Sequence, residues 1–395
     1  MRLLIIPSNF PSPSDATSGI FVLRQVQALQ QLGHDAMVFH MVPHALPLNK
    51  RWRRYCSVPT EYNYQGVQVN VKRAFIAPRM LGMQYWYRQL FPRVTQIIRS
   101  FKPDLIHAHF LIPAGTFAIN HDIPVVVTAH GIDAYDWPWR NSAMKAAAEK
   151  VVAAATTVVA VSNFIRGQVN KLGGRDVPVV FNGADEEEFG TYGRIEARSQ
   201  LGIGDAELVI AFGGSIEKTK GIFDLVSAAA LLHDLAPLLL IAGNGPEFES
   251  LRRALEGRGV RHRLFGAVDQ RLMAQIMAAS DVVALPSYKE GLPAILCEAM
   301  LSGRAIVATD VGGIPEIVTH GETGYVVPVA DVSALAEGIR TITQDKQTQL
   351  RFELAALKIA KDKLTWRANA LAYQPIYSRA IQKFEAARRQ PANKA

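Results

Sequence analysis

The chain is short of cysteine. Of its 395 residues two are cysteine, Cys56 and Cys297, far apart in sequence. That excludes a disulfide framework and every cysteine-based zinc spacing, and it points to a reducing cytoplasm. Long apolar runs are also lacking. None reaches the roughly 18 residues that a membrane-spanning helix needs. The opening "MRLLIIPSNFP" has an apolar core that Pro7 ends after four residues, too short for a signal peptide.

Acidic residues are scarce in the first quarter. Residues 1–102 hold 13 Lys/Arg against 3 Asp/Glu, a net of +10, whereas the remainder holds 30 against 32. One-sided charge of this kind suits an anionic partner, or else a solvated basic face. Here the basic residues interleave with aromatics, in "NKRWRRY" (49–55) and "RMLGMQYWYRQLFPR" (79–93). Cationic heads beside Trp, Tyr, Met and Leu fit a bilayer interface or a lipid-linked acidic substrate, with Arg51, Arg53 and Arg54 at the centre. Nucleic acid is not expected, since no recognition motif accompanies the charge. Other motifs fail. In "AGNGPEF", Phe248 stands where a dinucleotide fingerprint wants its third small residue. There is no P-loop, no Asp-x-Asp pair and no His/Cys cluster, so no metal site is expected.

What the chain does have is alternation. "RLLIIPS", "DAMVFHM", "VQVNVKRA", "DLIHAH", "PVVVTAHG", "ATTVVAVS" and "VPVVFNG" read as strands in the first half. "ELVIAFGG", "PLLLIAGNG", "HRLFGAV", "DVVALPS", "AIVATDVGG" and "GYVVPV" read as strands in the second. Near-continuous Val/Ile/Leu runs suit strands covered on both faces. Helical patterns fit between them, as in "FVLRQVQALQQLG" with Gly33 as its stop. Alternation of this kind means α/β doubly wound parallel sheets, too many strands for one. The polar, Gly-bearing stretch 184–207 is the expected joint. Two Rossmann-like domains follow, 1–188 and 189–365, with a helical segment 366–395 that packs back on the first.

Ligands of such sheets bind at the carboxyl ends of strands. "DVVALPS" ends at "YKEGLP", and "AILCEAMLSG" then reads as a helix with Pro293 in its first turn and Gly303 as its stop. Glu290 thus sits at a strand's carboxyl end. The amides of Gly291, Leu292 and Ala294 face the same space, a ready anion site. Glu298, two turns in, can accept hydrogen bonds from a ribose diol. Two surface glutamates favoured by the helix dipole would give the same pattern. His130 follows a strand and precedes a glycine, at a strand's carboxyl end where ligands bind. His109 and His107 are further candidates of the same kind.

In the stretch "EGLPAILCEAMLSGRAIVATDVGGIPEIV" the sequence resembles the family 4, group 1 type retaining glycosyltransferases. The resemblance extends through "SGIFVLRQVQAL", "PDLIHAHF", "VTAHGID", "VFNGAD", "GGSIEKTKG", "LLLIAGNGPE" and "LFGAV", in family order. It implies a GT-B fold, two Rossmann-like domains facing across a cleft, and a nucleoside-diphosphate sugar as donor, a UDP-sugar being favoured. No cofactor or metal is implied. By resemblance, Glu290 contacts the donor sugar near the reacting carbon and Glu298 holds the ribose. Lys220 meets the diphosphate, Gly19 lets the backbone approach the donor phosphates, and Phe265 offers backbone groups to the base. Asn182 fixes the segment between domains. The family's usual arginine falls on Ser215, which cannot reproduce a bidentate phosphate grip; Lys218 stands ready to compensate. The acceptor implied is a glycan or lipid-linked hydroxyl in surface-polysaccharide or glycolipid assembly, with the enzyme cytoplasmic or peripheral on the inner membrane face. A nucleotide-sugar epimerase, a silent sugar-binding protein and a glycosidase using Glu290 and Glu298 are the rival readings.

Overall fold

Two-sided burial asks for unbroken Val, Ile and Leu, and the strands form where the sequence supplies it. In β1 (Arg2–Pro7), Leu3, Leu4, Ile5 and Ile6 are wholly buried. A computed structural model describes residues 1–16, 18–44, 55–74 and 83–389. Residues 49–54 and 79–82, which carry much of the basic and aromatic character expected to meet an anionic surface, lie outside the described residues.

The chain divides into two units. The first is Met1–Val180 together with the chain from Asn369 on. Its strands are β1, β2 (Asp35–Pro43), β3 (Glu61–Tyr64), β4 (Val67–Ala74), β5 (Leu105–His109), β6 (Val125–Ala129) and β7 (Thr157–Ala160). They lie in the order β3-β4-β2-β1-β5-β6-β7. All pairings are parallel except β3 with β4. The sheet is therefore not wholly parallel, as the alternation had suggested. Gln65 and Gly66, with φ of 49° and 87°, turn "EYNY" back on β4 as a two-residue hairpin, a turn that asks for two positive φ values. "VPVVFNG" also departs from expectation. It makes one bridge, Ala160 to Val179, and no strand. Pro178 has no N–H to continue a ladder.

The helix Trp366–Arg389 enters the first unit at Asn369. Asn369, Tyr373 and Tyr377, four residues apart, share one face. Gln25 Nε2 donates to Asn369 Oδ1 at 2.7 Å, Tyr373 Oη meets Thr128 Oγ1 at 2.6 Å, and Tyr377 Oη meets His107 Nδ1 at 2.8 Å. The helix thus docks on the sheet through a buried polar row as well as through Ala370 and Ala380.

The second unit is Phe181–Ala368. Its strands are β8 (Val209–Gly213), β9 (Leu238–Ala242), β10 (His262–Gly266), β11 (Val282–Leu285), β12 (Ala305–Thr309) and β13 (Gly324–Val327). They are all parallel, in the order β10-β9-β8-β11-β12-β13. Counted along the chain this is 3-2-1-4-5-6, the order of dinucleotide-binding folds, and its switch point lies between β8 and β11. The stretch 184–207, the expected joint, is folded within this unit. Asp185 caps Glu186–Phe189, and Arg198 on the helix Arg194–Leu201 is buried against Asp281 at 2.8 Å. Asp281 also accepts from Val209 N at 2.9 Å, so one ion pair ties that helix to the starts of β8 and β11.

Candidate functional site

At the switch point two loops are tied together. Residues 218–221 follow β8, and residues 286–290 follow β11. Tyr288 N donates to Thr219 O at 2.8 Å, and Tyr288 Oη donates to Asp224 Oδ2 at 2.8 Å. Gly221 has φ of 64°, and a Cβ there would stand 1.8 Å from Pro286 O, so only glycine lets the loops close to this distance. The closure sets Lys220 beside Glu290. Lys220 Nζ lies 2.7 Å from Glu290 Oε1, which also accepts from Ser287 Oγ at 2.7 Å. Glu290 is buried and Lys220 partly so. A third loop clamps from the far side. Gly312 has φ of 59°, with space for a Cβ only 2.0 Å from Glu290 O, and Gly313 N donates to Gly291 O at 2.9 Å.

Gly291, Leu292 and Pro293 are buried, and Pro293 is the residue before the helix Ala294–Leu301 rather than in its first turn. The amides of Leu292 and Ala294 have no backbone acceptor among the described residues. Helix starts leave such donors for an anion. Gly303, with φ of 63°, follows the helix end. Glu298 is half-buried, its carboxylate has no partner among the described residues, and burial pushes it up to about 7. Cys297 is buried, its Sγ 3.9 Å from Asn182 O, so Asn182 lies behind this helix.

The remaining second-unit candidates are placed less closely. Ser215, just past β8, gives its hydroxyl to Glu217 Oε1 at 2.7 Å. Lys218 is largely exposed, with Glu247 3.9 Å away. Phe265 lies on β10, the edge strand two removed from β8.

In the first unit the order reverses between β1 and β5. Gly19, with φ of 71°, precedes the helix Ile20–Gln31, and a Cβ on it would lie 2.2 Å from Asn9 O. His109 ends β5 and His130 follows β6. His109 Nδ1 meets His130 Nε2 at 3.0 Å. Phe21 and Phe110 flank the His130 ring at 4.8 Å each. Phe110 has φ of 79°, strained for a residue with a side chain. His107 is fully engaged, by Tyr377 and by Thr128 Oγ1 at 2.8 Å. Burial lowers His107 and His130 to about 3 and takes His109 well below its usual range, so all three are neutral.

Asp133 was not foreseen. Its buried carboxylate accepts from His130 N at 3.1 Å, Gly131 N at 2.8 Å and Leu111 N at 2.8 Å. It fixes the backbone that carries His130, although burial still raises it to about 6. The signal was an acid three residues after the histidine, the spacing at which Asp folds back on amides. Ser287 was missed for want of any motif, and Tyr373 and Tyr377 because their partners are about 250 residues away.

The fold class is GT-B, two mostly parallel α/β sheets with the second in the dinucleotide-binding order, as in the solved glycosyltransferases below. The family models match in sequence: residues 18–188 match "Glycosyltransferase Family 4" and residues 193–358 match "Glycosyl transferases group 1". The chain belongs to the family 4, group 1 glycosyltransferases. It is 31% identical over 352 residues to TuaC of Bacillus subtilis (strain 168), named for teichuronic acid biosynthesis, covering 86% of this chain and 88% of that one. Sucrose-phosphate synthase from Thermosynechococcus elongatus shares the fold with a TM-score of 0.80, at 21% identity over 98% of this chain and 100% of that one. HepE of Anabaena, solved in complex with UDP, does so with a TM-score of 0.77, at 21% identity over 96% and 100%.

Proposed function

We propose that the second unit binds a nucleoside-diphosphate sugar, a UDP-sugar by preference, and that the enzyme transfers the sugar with retention to a hydroxyl of a glycan or lipid-linked acceptor. The observation that carries the reading is the Lys220–Glu290–Ser287 cluster at the β8/β11 switch point, with the Leu292 and Ala294 amides at the start of the next helix, and Glu298 within it, lacking partners among the described residues. UDP in the fold neighbour HepE supports the nucleotide, and the name of TuaC supports a surface-glycan acceptor.

The chemistry follows from charge. When the anomeric bond breaks, the leaving diphosphate gains negative charge. In this reading Lys220 and the amides at the helix start meet it, and fixed donors aimed at developing charge account for much of catalysis. A diphosphate on Lys220 releases Glu290 Oε1 from its ion pair, and Glu290 then takes sugar hydroxyls close to the reacting carbon. Glu298 takes the ribose diol. With the cation supplied by Lys220, transfer is proposed to run without a metal. His130, Gly19 and Phe265 are assigned supporting contacts to sugar, phosphate and base. Membrane-held acceptors remain the favoured class because the charge of residues 1–102 is so one-sided. Among the described residues no helix is long and apolar enough to cross a membrane.

The test is Glu290→Gln, assayed by UDP release with a panel of UDP-sugars and acceptors. Turnover should fall by on the order of 10² or more, while UDP affinity stays within a few-fold. Turnover equal to that of the unchanged enzyme would refute the role of Glu290.

A further inference from the structure

His109 Nδ1 and His130 Nε2 lie 3.0 Å apart, with the rings stacked at 22°. Between two neutral imidazoles, one nitrogen of this pair carries the hydrogen and the other accepts it. The far side of His109 decides which. Its Nε2 is buried and meets no partner. His107, whose ring is tilted at 32° beside it, has both nitrogens engaged elsewhere, by Tyr377 and Thr128. If His130 donated, His109 would carry its own hydrogen on Nε2, a buried N–H with nothing to accept it. If His109 donates, Nε2 is left as a bare lone pair. Interiors tolerate an under-used acceptor better than an orphaned N–H.

We infer that His109 is a positioning residue, holding His130 in the tautomer with hydrogen on Nδ1, so that His130 offers substrate a hydrogen-bond donor and not a base. His130 Nδ1 has no partner among the described residues and, unlike His109 Nε2, is not sealed in the interior. Phe21 and Phe110 hold the ring plane, and Asp133 holds the backbone beneath it. The group that such an N–H takes is an oxygen, a sugar hydroxyl or a phosphoryl oxygen. The consequence for transfer rests on the function proposed above; the tautomer itself does not.

The experiment is two-bond ¹H–¹⁵N NMR of the full chain with labelled histidine at pH 7, with the His130 signals identified by their loss in His130→Asn. Nδ1 of His130 should be protonated and Nε2 bare. Hydrogen on Nε2 would overturn the inference. His109→Phe keeps a ring in the stack but removes the nitrogen, and His130 should then shift toward the Nε2–H form. Should that variant fail to fold, His109→Leu takes its place. A tautomer unchanged in the variant would also overturn the inference. Once a donor and acceptor are in hand, the same variant should lower kcat on the order of tenfold with KM little changed. The expected tautomer together with absence of turnover from the unchanged enzyme would count against the proposed function and leave this inference standing.

Discussion

Glu298 changes its charge across the neutral pH range. A diol donates its hydrogens, so only the ionised carboxylate can accept two of them. Burial holds the group at about 7, above the ordinary glutamate value of 4.5. Ionisation therefore rises across pH 6–8, and affinity should rise with it, roughly tenfold for a single group. A UDP-sugar suits the measurement because its diphosphate does not titrate in that range. Calorimetric titration at pH 6 and pH 8 should show the gain for the unchanged protein and a flat profile for Glu298→Gln. Equal slopes in the two would remove Glu298 from the ribose. Both acids of the E-x7-E pair could be picked out in the sequence, because helix punctuation by Pro293 and Gly303 fixed their register. Their partners could not. Ser287 carries no motif, and the hydroxyl of Ser215 is taken by Glu217, a local choice that the missing arginine does not reveal.

The elements explain how the cluster stays in place. Three loops, after β8, β11 and β12, meet through glycines whose missing Cβ atoms are the condition for contact. Gly312→Ala would put a methyl within 2.0 Å of Glu290 O in a left-handed backbone. The left-handed conformation alone costs about 1–2 kcal/mol, and the clash adds to it by pushing the Glu290 loop outward. The expected result is a lowered thermal midpoint with a disproportionate loss of turnover. An alanine variant of unchanged stability and activity would show that the loop yields freely. Strands with continuous Val/Ile/Leu were legible because burial on both faces leaves no other composition. β3 was not, since "EYNY" is half-exposed and its Gln65–Gly66 turn lacks the usual Asn-Gly signal. The over-read "VPVVFNG" shows the reverse error, where Pro178 breaks an apolar run that composition alone would make a strand.

Across the whole molecule the buried histidines set the response to acid. His40 and His121 are lowered to about 4, His107 and His130 to about 3, and His34 and His109 are lowered as well, burial being the leading cause in each. All lie in the first unit. Folded values below the unfolded 6.5 mean that the unfolded chain binds more protons. The histidine contribution is complete above about pH 6.5 and is lost as pH drops from there toward 4, opposed in part by Asp133 and Glu298, whose raised values favour the folded state in acid. The fully buried His107 and His109 steepen that loss, since neither can take a proton without desolvating a charge. Urea midpoints followed by tryptophan fluorescence should therefore fall steeply between pH 7 and pH 5. A midpoint that holds constant would mean that the histidines find partners on protonation. None of this network was visible in the sequence beyond three histidines on or just after β5 and β6, because it closes through Tyr373 and Tyr377 on the last helix.

The central claim is that the second unit is a nucleotide-sugar donor site. Thermal stability against UDP, GDP, ADP, CDP and dTDP at matched excess tests it most directly. A ligand of the folded state adds RT ln(1 + [L]/Kd), about 2.7 kcal/mol at a hundredfold excess over Kd. The predicted result is a clear rise with UDP, smaller rises with the others, and loss of the UDP effect in Lys220→Ala. No rise with any of the five would contradict the account.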